Sequence, residues 1–182
     1  MENQPESMLV ELIRYNNWAN AQVFAACQQL TEAQLATRAP GVYGSIHATI
    51  GHIVSAEQNY IRRLTHSSPQ PPFDWEDEPP VADIVAFSKR VADALLETIQ
   101  RVPPGHIVHE EEDGNTIDYK ASLLFLQIID HGIEHRTNIT TILSGLGLPE
   151  LEVDGWGYLN THPDRFALKQ TFKEPPDADH QS

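Results

Sequence analysis

The sequence predicts an all-α protein: a four-helix bundle with a small β-hairpin before its fourth helix and a short helix near the C-terminus. Three observations predict it. Four long segments repeat apolar residues three and four positions apart, the period of a helix with one buried face. Breaks rich in proline and glycine separate those segments. A single pair of short alternating stretches, joined through Asp113-Gly114, has the chemistry of a tight hairpin. With 182 residues the chain can build one sizeable core but not two ordinary domains and their linkers. Residues 1–165 are therefore expected to form the bundle, and 166–182 a polar, disordered tail.

The first long helix is expected from about Ser7 to Leu30, where Leu9, Leu12, Ile13, Val23, Phe24 and Cys27 recur at helical spacing. Thr31-Glu32-Ala33-Gln34 has the form of a capping box, so a short connector helix should start there and stop before Pro40-Gly41. Ser45 can cap the second long helix, which runs to about Thr65 with Ile46, Ile50, Ile53, Ile61 and Leu64 along one side. From His66 to Pro80, prolines alternate with acidic and aromatic residues; this reads as a long loop that packs Phe73 or Trp75 on the outside of the bundle or over a pocket. The third long helix spans about Val81 to Val102 and is stopped by Pro103-Pro104-Gly105. Ile107 to Glu110 and Thr116 to Tyr119 alternate as the two hairpin strands, which are too few to stand without packing on helices. The fourth long helix follows from about Ser122 to Ser144, and Gly145, Gly147 and Pro149 end it. A last short helix is expected around Asp154 to Asn160, and the stretch from Lys173 to His180 has the composition of a disordered end.

Composition narrows the function. Twelve Lys and Arg against 26 Asp and Glu give a net charge of −14, which argues against binding nucleic acid or an anionic membrane surface. The single cysteine, Cys27, lies in a helical pattern and allows no intramolecular disulfide, as suits a reducing compartment. The polar, acidic N-terminus lacks the pattern of a signal peptide and no apolar run reaches membrane-spanning length, so a cytoplasmic protein is expected.

The chemistry is concentrated in Asp130-His131-Gly132-Ile133-Glu134-His135-Arg136. Residues four apart on a helix lie about 40° apart and one turn along, so His131 and His135 can reach one metal ion. Both share a face with Leu124, Ile128, Asn138 and Ile142. An imidazole buried among such residues costs free energy unless its nitrogens find partners, and a shared divalent ion serves two at once. His52, on the second long helix, lies off the apolar stripe on a face of small residues including Ala48, Thr49, Ala56 and Asn59, as a pocket wall would. Adding it gives a three-histidine site open to water or substrate. All-nitrogen ligation suits zinc, nickel, iron or copper, and spacing does not choose among them. The other six histidines have no matched partner and are expected at the surface or in local hydrogen bonds.

The run also fits the H-x-x-E-H pattern of inverted zincin proteases, which would make Glu134 a general base. That reading needs a further ligand, usually a carboxylate, and a peptide cleft. Glu57 lies off the His52 direction and reads as a hydrogen-bonding residue that holds helices together. Asn20, Asn59 and Asn138 are candidate substrate-pocket residues, and Tyr15 and Trp18 read as core.

Three stretches together resemble the DinB-like family of metal-dependent enzymes: Tyr15 to Asn20, Ser45 to Glu57, and His131 to Arg136. Its wider superfamily includes bacillithiol-dependent transferases and mycothiol-dependent maleylpyruvate isomerases. The resemblance covers roughly residues 7 to 160. It implies a four-helix bundle, often a homodimer, with a divalent metal on His52, His131 and His135. Glu134 and Asn138 depart from the family's frequent histidine and glutamine at these positions. The implied activity is transfer of a low-molecular-weight thiol, or a related hydrolysis, on a small electrophilic molecule. A metal-binding stress-response protein without turnover is the alternative.

Overall fold

The computed structural model describes residues 7–75, 78–112 and 114–166. In chain order the elements are α1 (Met8–Cys27), α2 (Glu32–Leu35), α3 (Ile46–Thr65), α4 (Val81–Arg101), β1 (Ile107–Glu112), β2 (Asn115–Lys120), α5 (Ala121–Gly145), α6 (Gly155–Thr161) and α7 (Pro163–Phe166). The four long helices form the bundle. Each of α1 and α3 packs against both α4 and α5, so α1 and α3 face each other across one diagonal of the bundle. The chain therefore crosses the bundle twice between consecutive long helices, once through the α2 segment and once through the hairpin segment.

Local chemistry sets the boundaries. The Ser7 hydroxyl accepts from the Leu9 N–H to start α1, which ends at Cys27; the next three residues turn out of the helix rather than extending it to Leu30. Thr31 and Gln34 complete a capping box on α2, and Ser45 accepts from the Ala48 N–H at the start of α3. Asp154 accepts from the N–H groups of Trp156 and Gly157 and starts α6. The strands pair antiparallel over their whole length, longer than the alternation alone suggested, with Val108 opposite Tyr119 and Glu110 opposite Ile117. Gly114 takes a φ of 77° at the turn, a region that glycine enters without steric cost; Asp113 lies outside the described residues. So do residues 167–182, most of the expected tail, while Phe166 closes α7 against the Tyr158 ring.

The core runs through all four helices, with Phe24, Phe87, Ile13, Ile50, Leu95, Ile128 and Ile139 fully enclosed. The proline-rich loop packs on its outside: Phe73 stacks on Phe87, and the Trp75 indole N–H donates to Gln58. No helix among the described residues is long and apolar enough to cross a membrane.

At the centre of the bundle four polar side chains replace the apolar packing. Asn16 and Asn20, one turn apart on α1, each donate an amide N–H to Glu57 Oε1 of α3, at 2.7 and 2.9 Å. Each turns its amide oxygen toward Arg136 of α5, whose Nη1 donates to both at 2.7 Å. Carboxylate and guanidinium are thus joined through two parallel amides, and all four residues are buried. Burial lifts the Glu57 carboxyl above its usual range, while the two amide bonds and the Arg136 charge pull it back. Burial also works against the charge on Arg136, which Tyr15 and Glu57 favour. Gly132 makes the arrangement possible, because a Cβ there would stand 2.6 Å from Arg136 Nη1 and overlap Asn16 Oδ1.

Candidate metal centre

The polar ladder lies one helix position from a cluster of three imidazoles. His131 and His135 project from α5 beside Arg136, and His52 projects from α3 five residues before Glu57. One nitrogen from each ring can be chosen so that all three lie within 4.8 Å of one another. The Nε2 atoms of His52 and His131 are 2.9 Å apart. Nitrogens each about 2.0–2.1 Å from one zinc ion would stand roughly 3.0–3.4 Å apart, so this pair is already near ligand spacing.

The electrostatics suit ligation. Burial, followed by the nearby His135 and His52, pushes His131 down to about 4. His52 is lowered by burial and by His135, with Glu134 opposing; His135 is lowered by burial, again with Glu134 opposing. Neutral imidazoles offer lone pairs where protonated ones cannot. The Nδ1 atoms of His131 and His135 are shielded from water and make no hydrogen bond within the protein, so the His131 Nε2, at ligand spacing from His52, is the nitrogen that faces the cluster. Three neutral imidazoles with nitrogens this close together could hold a divalent ion.

Tyr43 completes one wall, and sequence reasoning missed it. Its ring stacks on His52 with centroids 4.1 Å apart and meets His135 edge-on at 5.0 Å. Asn138 fixes it there by accepting the Tyr43 backbone N–H while donating to the Glu134 carbonyl. The only sequence signal was an aromatic residue between Gly41 and Gly44, at the mouth of the helix that carries His52.

On the other side the cluster opens into a cleft of about 780 Å³ whose walls include His52, His131, Asn59 and Tyr60. The pocket candidates therefore separate. Asn59 lines this cleft. Asn138 supports Tyr43, and Asn20 points into the buried ladder. Glu57 is the hydrogen-bonding tie its position suggested. Glu134 is exposed on α5 within electrostatic range of His52 and His135. Among the described residues no carboxylate joins the candidate metal group, and a histidine takes the place where an inverted zincin would have one. Of the unmatched histidines, His47 bonds the Pro79 carbonyl and His109 pairs with Asp118 across the hairpin.

Two solved structures share the fold. A DinB-like protein from Bacillus cereus ATCC 10987 superposes with a TM-score of 0.61 at 19% identity, covering 80% of this chain and 95% of that one. YfiT from Bacillus subtilis, described as a probable metal-dependent hydrolase with an unusual four-helix bundle topology, gives 0.59 at 16% identity over 82% and 93%. No curated protein matches the sequence. The DinB family model matches residues 1–170.

Proposed function

The chain belongs to the DinB family, and from that premise we propose that it is a divalent-metal-dependent hydrolase acting on a small electrophilic molecule, with His52, His131 and His135 as the metal ligands. The convergence of three imidazoles, two of which, His52 and His131, line an open cleft, carries this reading. A divalent ion there would act as a Lewis acid and bring a coordinated water or thiol into its ionised range near neutral pH.

The chain's own residues supply the rest. Burial keeps the three imidazoles neutral and ready to ligate. The ladder clamps α3 to α5 through α1 and so fixes the separation of His52 from the α5 pair. Tyr43 covers one side of the imidazoles and keeps water from that approach, leaving the cleft as the route for substrate. Glu134 is the nearby carboxylate whose charge already acts on His52 and His135, which suits it to take up a proton at the cluster's edge. Asn59 offers an amide to the substrate from the cleft wall.

Transfer of a low-molecular-weight thiol to an electrophile is the second reading, and it uses the same three histidines and the same cleft. Metal content by elemental analysis tests the shared premise: stoichiometric metal in the wild type and its loss in His52→Ala, His131→Ala and His135→Ala. Wild-type protein that retains no divalent metal after loading would overturn it. Turnover of simple esters and amides by loaded protein, with and without added thiol, then separates hydrolysis from transfer and both from a metal binder without activity.

A further inference from the structure

The polar side chains of the cleft differ in what they have left to offer a ligand. Arg63 and Glu110 are the acid and base among its lining residues, and they pair with each other at 3.0 Å. Tyr119 lies beside that pair with its hydroxyl sealed from solvent, and Tyr60 lies against Gln127. Ser55 donates its proton to the His52 carbonyl at 3.2 Å. The lining of the cleft is therefore neutral in sum, in a chain whose net charge of −14 repels anions.

Asn59 stands apart from these. It lies seven residues beyond His52 on α3, which returns to within about 20° of the same face after roughly 10 Å of helix, and it lines the same cleft. Its Oδ1 accepts from Nε and Nη2 of Arg62, at 3.2 and 2.8 Å. A guanidinium carries N–H donors and no acceptor, so only the amide oxygen can face it and the NH2 group must turn away. Asn59 Nδ2 makes no hydrogen bond among the described residues and is not sealed from solvent. Arg62 itself is exposed and does not line the cleft. Asn59 thus presents a free donor whose direction is set by a residue outside the cleft.

We propose that Asn59, held in its donor orientation by Arg62, takes a carbonyl oxygen of the substrate, and that the substrate is an uncharged molecule carrying an amide or ketone carbonyl apart from its reacting group. Asn59 is a specificity-determining residue and Arg62 a positioning residue. The reacting end rests on the metal-centre reading, whereas the carbonyl contact stands on Asn59 and Arg62 alone.

The test uses the full chain loaded with cobalt and read by thiolate-to-cobalt absorbance. The probes are ω-mercaptoalkanamides of about three to eight carbons, a range that spans the roughly 10 Å of helix between His52 and Asn59, with the alkanethiol and the ω-mercapto acid of each length. At the best-fitting length the wild type is expected to bind the amide about three- to tenfold more tightly than the alkanethiol, and more tightly than the acid. The preference over the alkanethiol should vanish in Asn59→Leu and in Asn59→Asp while alkanethiol binding stays unchanged in Asn59→Leu. Asn59→Asp keeps the oxygen that Arg62 grips, so it reports even if Asn59→Leu folds poorly. In Arg62→Met the preference should fall at an unchanged melting temperature, and Arg62→Lys should restore part of it. Equal binding of amide and alkanethiol at every length, a preference for the acid, or an amide preference that survives both Asn59 substitutions or is untouched in Arg62→Met overturns the proposal. Absence of signal with every thiol is a failure of the metal centre, and nitrogen-15 NMR of unloaded protein titrated with hexanamide then decides: a shift of the Asn59 side-chain NH2 resonances, identified by their loss in Asn59→Leu, supports the contact, and no shift overturns it.

Discussion

Replacing Gly132 with alanine tests whether the buried ladder holds the bundle together. In an ordinary helix interior this substitution stabilises by about 1 kcal/mol, because alanine loses less backbone entropy. Here the new Cβ would lie 2.6 Å from Arg136 Nη1 and overlap Asn16 Oδ1. Neither atom is free to retreat: Arg136 Nη1 is held by two amide oxygens, and Asn16 is fully buried and tied to Glu57. Relief requires breaking the Arg136–Asn16 bond and disturbing the Asn16–Glu57 bond, each to a charged group and each worth roughly 1.5–3 kcal/mol. Set against the helix gain, the net loss is about 2–5 kcal/mol, and for a chain of this length the melting temperature should fall by roughly 5–15 °C. Urea titration of metal-free protein, followed by circular dichroism, should show a lower midpoint with an unchanged slope. A Gly132→Ala protein that melts at or above the wild type would refute the clamp.

Glu57→Gln keeps an oxygen for both asparagines but strands the Arg136 charge, so it should cost about 3–5 kcal/mol, and Glu57→Gln with Arg136→Met should cost at least 1 kcal/mol less than the sum of the two singles in a double-mutant cycle; strict additivity would argue that the two charges do not sense each other. In chelator-treated protein the histidine cluster should make stability pH-dependent. With His131 pushed down to about 4 in the fold and near 6.5 unfolded, the unfolded chain binds more protons in between, so stability is complete above about pH 6.5 and is lost as pH falls toward 4. Denaturation midpoints that stay flat across that window in the wild type, or that show the same slope in His131→Ala, would contradict it. Tyr43→Ala should change stability by less than about 1 kcal/mol, since the residue is 55% exposed, yet should speed acylation of His52 by diethyl pyrocarbonate, mapped by mass spectrometry; an unchanged rate would mean the ring does not cover the imidazole.

Much of this was legible in the chain because it is carried by local pattern. Ser45, Thr31 and Asp154 announce helix starts through hydroxyl and carboxylate groups that act within three residues of themselves. His131 and His135 are paired by helix geometry alone, and His52 stood out by the small residues around it. What remained hidden depends on partners from distant elements. Nothing near Asn16 or Asn20 shows that their amides bridge Glu57 to Arg136, because three helices must first be placed around one point. Tyr43 lies in a loop whose path over His52 follows from how α2 crosses the bundle. The Arg63 guanidinium has a common surface pattern in sequence, and only the hairpin register sets Glu110 and Tyr119 against it.

The hairpin has a further consequence. It leaves and rejoins the helices at nearly one place, because the Ala121 N–H bonds the His106 carbonyl at 2.8 Å and the Ser122 N–H bonds the Pro104 carbonyl at 3.0 Å. Residues 107–120 are in effect an insert on a closed stem, supplying the far wall of the cleft while α3 and α5 alone supply the imidazoles. In the proposed function, exchange of this insert for another of different length or polarity would redirect which molecules the cleft accepts without moving His52, His131 or His135, and a library randomised at positions 110, 117 and 119 would read that out.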